Sequence, residues 1–200
     1  MIDFWFCIRL CNKGDKMKKL VLMACVLVGV GFGADIKTLT QQCEAKDGEA
    51  CIDLMLEYSE AKNYSKYFEF AQKACNLKNA RGCRNLGHIY YFGRDIEKDF
   101  FKAREYYQQA CDLKDGNGCV GLGVLYVEGK GVRLDFTKAV SYFKMACDLK
   151  DNYGCNFLGW CYKNGQGVKA NKNKAKEFFG KACDLGLQDG CDNYKNEILR

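Results

Sequence analysis

The sequence predicts an all-α fold, a right-handed α-solenoid built from repeated helix pairs, and three observations lead to this prediction. The 200 residues contain no proline, and their 21 glycines are set among many residues that favour helices. Four cysteines (75, 111, 147 and 183) recur every 36 residues, a period typical of helix-pair solenoids. Apolar residues within each period follow helical spacing.

The first helix of each pair, helix A, is expected to run from about the second cysteine of a unit to a glycine. That glycine is Gly93, Gly129 or Gly165, and the motif L-G-x-x-Y stands before it at 86–90, 122–126 and 158–162. A link follows, with the sequence GKGV at 129–132 and GQGV at 165–168. Glycine supplies the positive φ angles that such a link requires.

The second helix, helix B, is expected to begin after an N-cap residue, which is Asp99, Asp135 or Asn171. Small and large apolar residues then alternate on one face, so helix A can approach through the glycine of its L-G-x-x-Y motif. The predicted units are about 44–75, 76–111, 112–147 and 148–183, with a terminal cap at 184–200. The first unit lacks the glycine-rich link, and Asp95 stands where later units have a link glycine.

Residues 17–34, MKKLVLMACVLVGVGFGA, have two lysines, an apolar run and then small residues. This pattern predicts a signal peptide and no stable membrane span, with residues 1–16 as an upstream extension. A lipoprotein is the alternative, because 22–25 resembles a lipobox. Residues 1–34 carry five basic and two acidic residues, so a chain beginning at Asp35 has a net charge of +3 rather than +6. No basic run remains, which argues against a nucleic-acid partner.

Ten of the 14 cysteines form five C-x7-C pairs, a pattern typical of a disulfide framework in an exported protein. In one continuous helix the two Cα atoms of a pair would lie ~12 Å apart, whereas a disulfide requires ~5.5 Å. A disulfide within a pair therefore requires the chain to turn between its cysteines, and residues 114–118 (KDGNG) favour a turn. The spacing favours local pairing without fixing the connectivity. The expected pairs are Cys43–Cys51, Cys75–Cys83, Cys111–Cys119, Cys147–Cys155 and Cys183–Cys191.

Other cysteine chemistry has less support in the sequence. No C-x-x-C motif indicates a redox site, and with His88 as the single histidine no metal or cofactor is expected. Cys161 occupies the position of Ile89 and Leu125 in earlier units and is expected to be buried as a small apolar residue. A reactive or intermolecular thiol at this position is the alternative.

The repeated pattern L-G-x-x-Y-x-x-G-x-G-V-x-x-D-x-x-K-A-x-x-[YF]-[YF]-x-x-A-C-x-L resembles Sel1-like repeats, which are related to tetratricopeptide repeats. With a C-x7-C pair in every unit and a signal peptide, the chain resembles the Helicobacter cysteine-rich protein family over about residues 37–200. Members of that family are usually labelled β-lactamases. The resemblance therefore implies penicillin binding with weak β-lactam hydrolysis.

Serine β-lactamases use an S-x-x-K motif together with S-D-N and K-T-G elements. The sequence contains S-x-x-K twice, as Ser59 with Lys62 and as Ser141 with Lys144, but neither of the other elements. Ser141 aligns with glutamates of other units, which indicates a solvated face of helix B, and Ser59 stands near a helix end. These four residues are the catalytic candidates, and the sequence leaves enzymatic activity open.

A second set of candidates lies on helix A, at positions that vary between units while the packing positions do not. Variable and partly aromatic residues on a regular scaffold suit recognition of an extended peptide on the concave face, with Trp160 as the main anchor. Ordinary surface residues are the alternative. The candidate binding residues are Arg84, His88, Tyr91, Asn156, Trp160 and Lys163.

Three functional hypotheses follow for a protein exported to the periplasm or the medium. It binds a peptide or a peptidoglycan fragment, or serves as a non-catalytic scaffold for another protein. It binds and hydrolyses a β-lactam, as the resemblance implies. It acts as a secreted factor on host proteins.

Overall fold

The computed structural model describes residues 35–93 and 96–198, and within these ranges all regular secondary structure is α-helical. The predicted upstream extension, the signal peptide with its lipobox alternative, and Asp95 lie outside the described residues. The ten helices are α1 Ile36–Glu44, α2 Gly48–Glu60, α3 Tyr64–Asn76, α4 Ala80–Phe92, α5 Phe100–Asp112, α6 Gly116–Glu128, α7 Phe136–Asp148, α8 Asn152–Asn164, α9 Lys172–Asp184 and α10 Gln188–Ile198.

Consecutive helices pack against each other along the whole described chain. The even-numbered helices are helices A, and each from α4 onward also touches the next even-numbered helix. Units 1 to 4 are thus α2–α3, α4–α5, α6–α7 and α8–α9, with α1 before them and α10 after them. This arrangement confirms the predicted all-α solenoid.

Each helix B begins where the sequence predicted, because its N-cap side chain binds the free amides of the first turn. The Asp99 carboxylate accepts hydrogen bonds from the Phe101 and Lys102 amides. Asp135 and Asn171 each accept one from the amide three residues later.

Each helix A of units 2 to 4 begins three residues before the second cysteine of its pair, because a second set of caps precedes it. Asp115 accepts a hydrogen bond of 2.8 Å from the Gly118 amide, and Asn79 and Asp151 have the equivalent role. Lys114, before the cap, has a positive φ of 67°. The turn therefore occupies only the first part of the predicted 114–118 stretch, and its glycines are helical.

Those helical glycines allow two helices to approach closely. A Cβ atom at Gly118 would lie 2.6 Å from the Ala110 Cβ and 2.9 Å from the Cys111 nitrogen, closer than side chains tolerate. Gly82, Gly154 and Gly190 meet the same obstacle at their own alanines. A glycine before the second cysteine is therefore required by the contact between helix B and the next helix A.

Within a unit, the glycine of helix A faces an aromatic ring of helix B, as predicted. A Cβ at Gly87 would overlap the buried Tyr107 ring. Beside this contact Tyr90 stacks on Tyr106 at 5.6 Å, with the Lys102 ammonium 5.1 Å from the Tyr90 centroid. Units 3 and 4 repeat the stacked pair and its lysine. The recurring lysine before alanine in helix B is thus part of the packing.

Candidate functional site

The ten cysteines of the C-x7-C pairs form five local disulfides in the structure. Each one joins the end of an odd-numbered helix to the first turn of the next helix, with Cα atoms 4.5–4.8 Å apart. Closing such a short loop contributes roughly 2–3 kcal/mol in the chain-entropy model. The cysteine pairs therefore hold consecutive units together.

Cys161 is the free cysteine among the described residues, and it lies buried in α8. Burial raises the pKa of its thiol to about 11. A thiol with this pKa is protonated at neutral pH and is a poor nucleophile. Its position in the core agrees with a packing role.

A cleft of about 430 Å³ opens between the first two units. Its wall is formed by the end of α2, the first half of α3 and the second half of α4. We call it the first cleft. The lining residues are Ser59, Tyr64, Ser65, Tyr67, Phe68, Asn85, His88, Ile89, Phe92 and Ile96.

The first cleft lies at the junction of units 1 and 2, where the sequence of the link differs from that of the later links. In units 3 and 4 the link glycines Gly131 and Gly167 lie so close to the first residue of the preceding helix B that a Cβ would overlap its carbonyl. Asp95 has the equivalent sequence position in unit 2 and lies outside the described residues. Tyr64 has in unit 1 the position of Phe100 and Phe136, at the start of helix B, and it lines the first cleft.

His88, one of the predicted binding residues, lines the first cleft and is held from the opposite side by Tyr107. The Tyr107 hydroxyl lies 3.0 Å from His88 Nδ1, and the two rings meet edge to face at 5.4 Å. Burial raises the pKa of Tyr107 well above its usual value, so its hydroxyl stays protonated. The Phe92 ring stacks on the imidazole, with 6.2 Å between the two ring centroids. The ring is therefore fixed within the cleft wall.

Four other predicted binding residues are engaged in contacts between consecutive helices A. These residues form side-chain pairs with the next helix A, which leaves them less available to a ligand than the sequence suggested. The pairs are Arg84 with Asp115 at 3.1 Å, Tyr91 with Glu128 at 2.5 Å, Asn156 with Asn193 at 3.0 Å and Lys163 with Glu197 at 2.6 Å.

Trp160 has the same position in its unit as His88 and remains 37% exposed. Its ring lies edge-on to Phe179 at 5.8 Å, and the Lys163 ammonium is 4.9 Å from its centroid. The indole is thus fixed on one side and accessible on the other.

The two S-x-x-K motifs occupy different environments. Ser141 is exposed and donates to the Thr137 carbonyl at 3.1 Å, while Lys144 pairs with Asp148 at 3.2 Å. Ser59 lines the first cleft, whereas Lys62 has a positive φ of 55° in the link after α2, where its amide donates to the Ser59 carbonyl.

Several residues of the first cleft were missed by the sequence analysis. Ser65 lies outside any S-x-x-K motif, and Tyr64 and Phe68 belong to the irregular first unit. Two features of the sequence distinguish this region and could have drawn attention to these residues. They are the spacing of 32 residues from Cys43 to Cys75, against 36 in later units, and the missing link glycine.

Within the described ranges, no group of three or more histidine, cysteine or acidic side chains could hold a metal ion. In the same part of the chain, each helix is too short or too polar to cross a membrane.

Comparison with known proteins identifies the repeat. The Sel1 repeat model matches residues 80–115, 117–151 and 152–187, which together make up more than half of the sequence. The chain belongs to the Sel1 repeat family. It is also similar to cysteine-rich protein B of Helicobacter pylori, at 37% identity and a TM-score of 0.54, over 66% of this chain and 94% of that one. This match and the five paired cysteines confirm the resemblance to the cysteine-rich branch of Sel1 proteins.

Two further Sel1-type structures show the same fold. One is a protective antigen of uropathogenic Escherichia coli (24% identity, TM-score 0.74, 80% of this chain and 35% of that one). The other is a Sel1 repeat protein from Oxalobacter formigenes (22% identity, TM-score 0.74, 78% of this chain and 63% of that one).

A Drosophila melanogaster protein named as a cytochrome c oxidase assembly factor 7 homolog is 44% identical over 43 residues. That match spans 22% of this chain and 16% of the fly protein. It is therefore a likeness of about one repeat.

Proposed function

We propose that this Sel1 repeat protein is an exported scaffold that binds an extended peptide in the first cleft. The observation that carries the proposal is the cleft itself, an aromatic-lined cavity at the junction of units 1 and 2. Sel1 repeats generally mediate protein–protein interactions, and pockets of several hundred Å³ with aromatic walls and a few polar groups are typical ligand sites.

The chemistry of the lining suits a peptide. Tyr64 and Phe92 are 39% and 52% exposed, and their rings offer apolar area for a side chain. Asn85 and His88 place polar atoms in the same wall, where they can bind peptide amides and carbonyls. Trp160, at the same position two units further along, offers a second anchor for a longer partner.

The disulfides and the similarity to the Helicobacter protein indicate an exported protein, because such bonds persist in oxidising compartments. The peptide is then a segment of an envelope protein, the peptide part of a peptidoglycan fragment, or a segment of a host protein. Release into the periplasm or into the medium remains part of the proposal.

Penicillin binding with slow hydrolysis is a second candidate, favoured by one observation: Ser59 and Ser65 line the same cleft as His88. In that reaction a serine Oγ attacks the lactam carbonyl, the ring C–N bond breaks, and the hydroxyl proton passes to the ring nitrogen. Water then attacks the resulting ester, its C–O bond to the serine breaks, and the serine oxygen regains a proton as the acid product leaves. A β-lactam resembles a peptide terminus of the cell wall, so one cleft could bind both ligands.

The peptide proposal is tested by selecting ligands from a phage-displayed peptide library on the oxidised protein and measuring the selected peptide by calorimetry. Tyr64→Ala and Phe92→Ala should each weaken binding about tenfold, because each removes apolar area from the cleft wall. Phe101→Ala is the matched control, since this ring is 66% exposed and does not line the cleft. Equal losses in all three variants would contradict the assignment.

The β-lactam candidate is tested by turnover of a chromogenic cephalosporin by the oxidised protein and by Ser59→Ala, Ser65→Ala and Ser141→Ala variants. Turnover lost in one of the first two variants identifies the nucleophile in the cleft. Loss only in the Ser141 variant, or no turnover by the parent protein, rules out the cleft as a β-lactamase site.

A further inference from the structure

A second groove, of about 770 Å³, runs along the link of unit 3. It lies between α5 of unit 2, the link before α7 and Gly167 of the next link. We call it the basic groove. Its basic lining residues are Arg104, Arg133 and Lys138, and its larger apolar ones are Tyr126, Leu134 and Phe136.

The positive charge of the basic groove is not neutralised within the described part of the chain. Arg104, Arg133 and Lys138 make no ion pair there, and the Lys138 ammonium lies 5.4 Å from the Tyr126 centroid. The single acidic residue of the lining is Asp135, whose carboxylate accepts a hydrogen bond from the Lys138 amide as the N-cap of α7.

The equivalent groove of unit 2 differs in charge. It has a volume of about 490 Å³ and contains Glu97 and Asp99 beside Lys98 and Lys102. Lys102 pairs there with Asp99 at 3.7 Å. The two grooves share the same framework of helix end, link and helix start, so the excess of positive charge in unit 3 is a property of its side chains rather than of the fold.

The basic character continues into unit 4. Lys169, Lys172, Lys174 and Lys176 follow one another in the link and the first turns of α9, and none of them makes an ion pair within the described residues. Uncompensated positive charge thus gathers along the links of units 3 and 4.

The basic groove also offers apolar contact. Leu134 is 51% exposed beside Arg133, and the rings of Tyr126 and Phe136 form part of the same wall. A concave site with both features fits an extended chain that carries carboxylates and an apolar side chain. A flat anionic surface could reach the charges but not the concave apolar wall.

We propose that the basic groove binds an acidic segment of a partner polypeptide, with its carboxylates paired to Arg104 and Arg133 and an apolar side chain against Leu134. Complementary charge would then orient the bound segment and raise its rate of association with the groove. This site is separate from the first cleft and does not depend on peptide binding there.

The test is fluorescence anisotropy with a labelled octapeptide of alternating glutamate and leucine, compared with the same peptide carrying glutamine for glutamate. The variant is Arg104→Glu combined with Arg133→Glu. The matched control is Lys37→Glu combined with Lys195→Glu, which makes the same change in net charge at exposed lysines outside the groove. Tyr64→Ala serves as the variant of the first cleft.

We expect the glutamate peptide to bind more tightly than the glutamine peptide, with affinity that falls as salt is raised. The groove variant should bind it at least about tenfold more weakly, while the control and Tyr64→Ala stay within about twofold. Equal loss in the control variant would overturn the proposal in favour of a non-specific charge effect. Loss in Tyr64→Ala would place the acidic peptide in the first cleft instead.

A parallel measurement uses vesicles of phosphatidylglycerol. Vesicle binding that is abolished in the groove variant but is not displaced by the glutamate peptide would also overturn the proposal, because the groove would then recognise a lipid surface. Displacement of any bound vesicles by the peptide supports it.

Discussion

At the scale of single residues, the turns between units depend on two neighbouring positions. A lysine with positive φ (Lys78, Lys114 or Lys150) precedes an aspartate or asparagine that caps the next helix. The caps of helix B were predictable, because Asp99, Asp135 and Asn171 follow a glycine-rich link. The caps of helix A were not predicted, because lysine is an unusual residue for a left-handed conformation and the nearby glycines resemble turn residues.

Asp151 allows this capping role to be tested. Its carboxylate accepts hydrogen bonds from the Gly154 amide at 2.8 Å and from Asn117 Nδ2 at 3.0 Å, and burial raises its pKa. We expect Asp151→Ala to lower the free energy of unfolding by about 1–2 kcal/mol. Asp151→Asn should cost less, since it retains an acceptor without a buried charge. Urea denaturation measures both, and an equal cost for the two variants would contradict the role.

Cys161 gives a pH-dependent prediction. Its pKa of about 11 in the folded protein is above its ordinary value of 9.0, so the folded state retains a proton that the unfolded state loses as pH rises between these values. Its contribution to stability should therefore be present below pH 9 and decline toward pH 11.

At pH 8 the thiol should react with a thiol reagent about a hundredfold or more slowly in the native protein than in urea. The rate is taken from the part of the signal that disappears in Cys161→Ala, because the sequence contains three further cysteines before Asp35. Rapid labelling of the native protein would show that the thiol is accessible.

At the scale of helices, the close approach of helix B to the next helix A determines where glycine is required. The alternation of small and large residues predicted the contact within a unit correctly, since it depends on one helix pair with fixed spacing. The contact between units could not be derived in the same way. The contact between units depends on the angle between consecutive helix pairs, which the sequence does not give. From the sequence Gly118 is typical of a turn, whereas in the structure it is helical and packs against Ala110.

Two glycine substitutions distinguish these environments. Gly118→Ala places a Cβ 2.6 Å from the Ala110 Cβ, and we expect it to lower the free energy of unfolding by about 2–3 kcal/mol. Gly180→Ala, inside α9, meets only Tyr194 at 3.4 Å and should raise stability by about 0.5–1 kcal/mol. Thermal unfolding of both variants provides the comparison, and the expectation fails if the two shifts have the same sign.

At the scale of the whole molecule, stability comes from contacts between neighbouring helices and from five local disulfides. The helix-pair solenoid could be predicted from the sequence, because the 36-residue period recurs from Cys75 to Cys183. The surroundings of the predicted binding residues could not be derived from the sequence: His88 lines the first cleft, whereas Arg84, Asn156 and Lys163 contact the next helix A. Those contacts join residues more than 30 positions apart, which a pattern within one unit does not reveal.

Removal of one central disulfide tests how the array is held together. The paired substitution Cys111→Ser and Cys119→Ser should lower the free energy of unfolding by about 2–3 kcal/mol. Substitution of the last pair, Cys183 with Cys191, should mainly loosen α10, because among the described residues α10 is the one helix that follows the end of α9. Hydrogen exchange separates the two effects, and widespread loss of protection in the variant of the last pair would contradict a nearest-neighbour array.

Peptide binding in the first cleft can be located residue by residue in an NMR titration of the oxidised, ¹⁵N-labelled protein with the selected peptide. We expect saturable amide shifts concentrated at the end of α2, the start of α3 and the second half of α4, and their loss in Tyr64→Ala but not in Phe101→Ala. Shifts confined to α6–α10, or the same shifts in Tyr64→Ala, would contradict it.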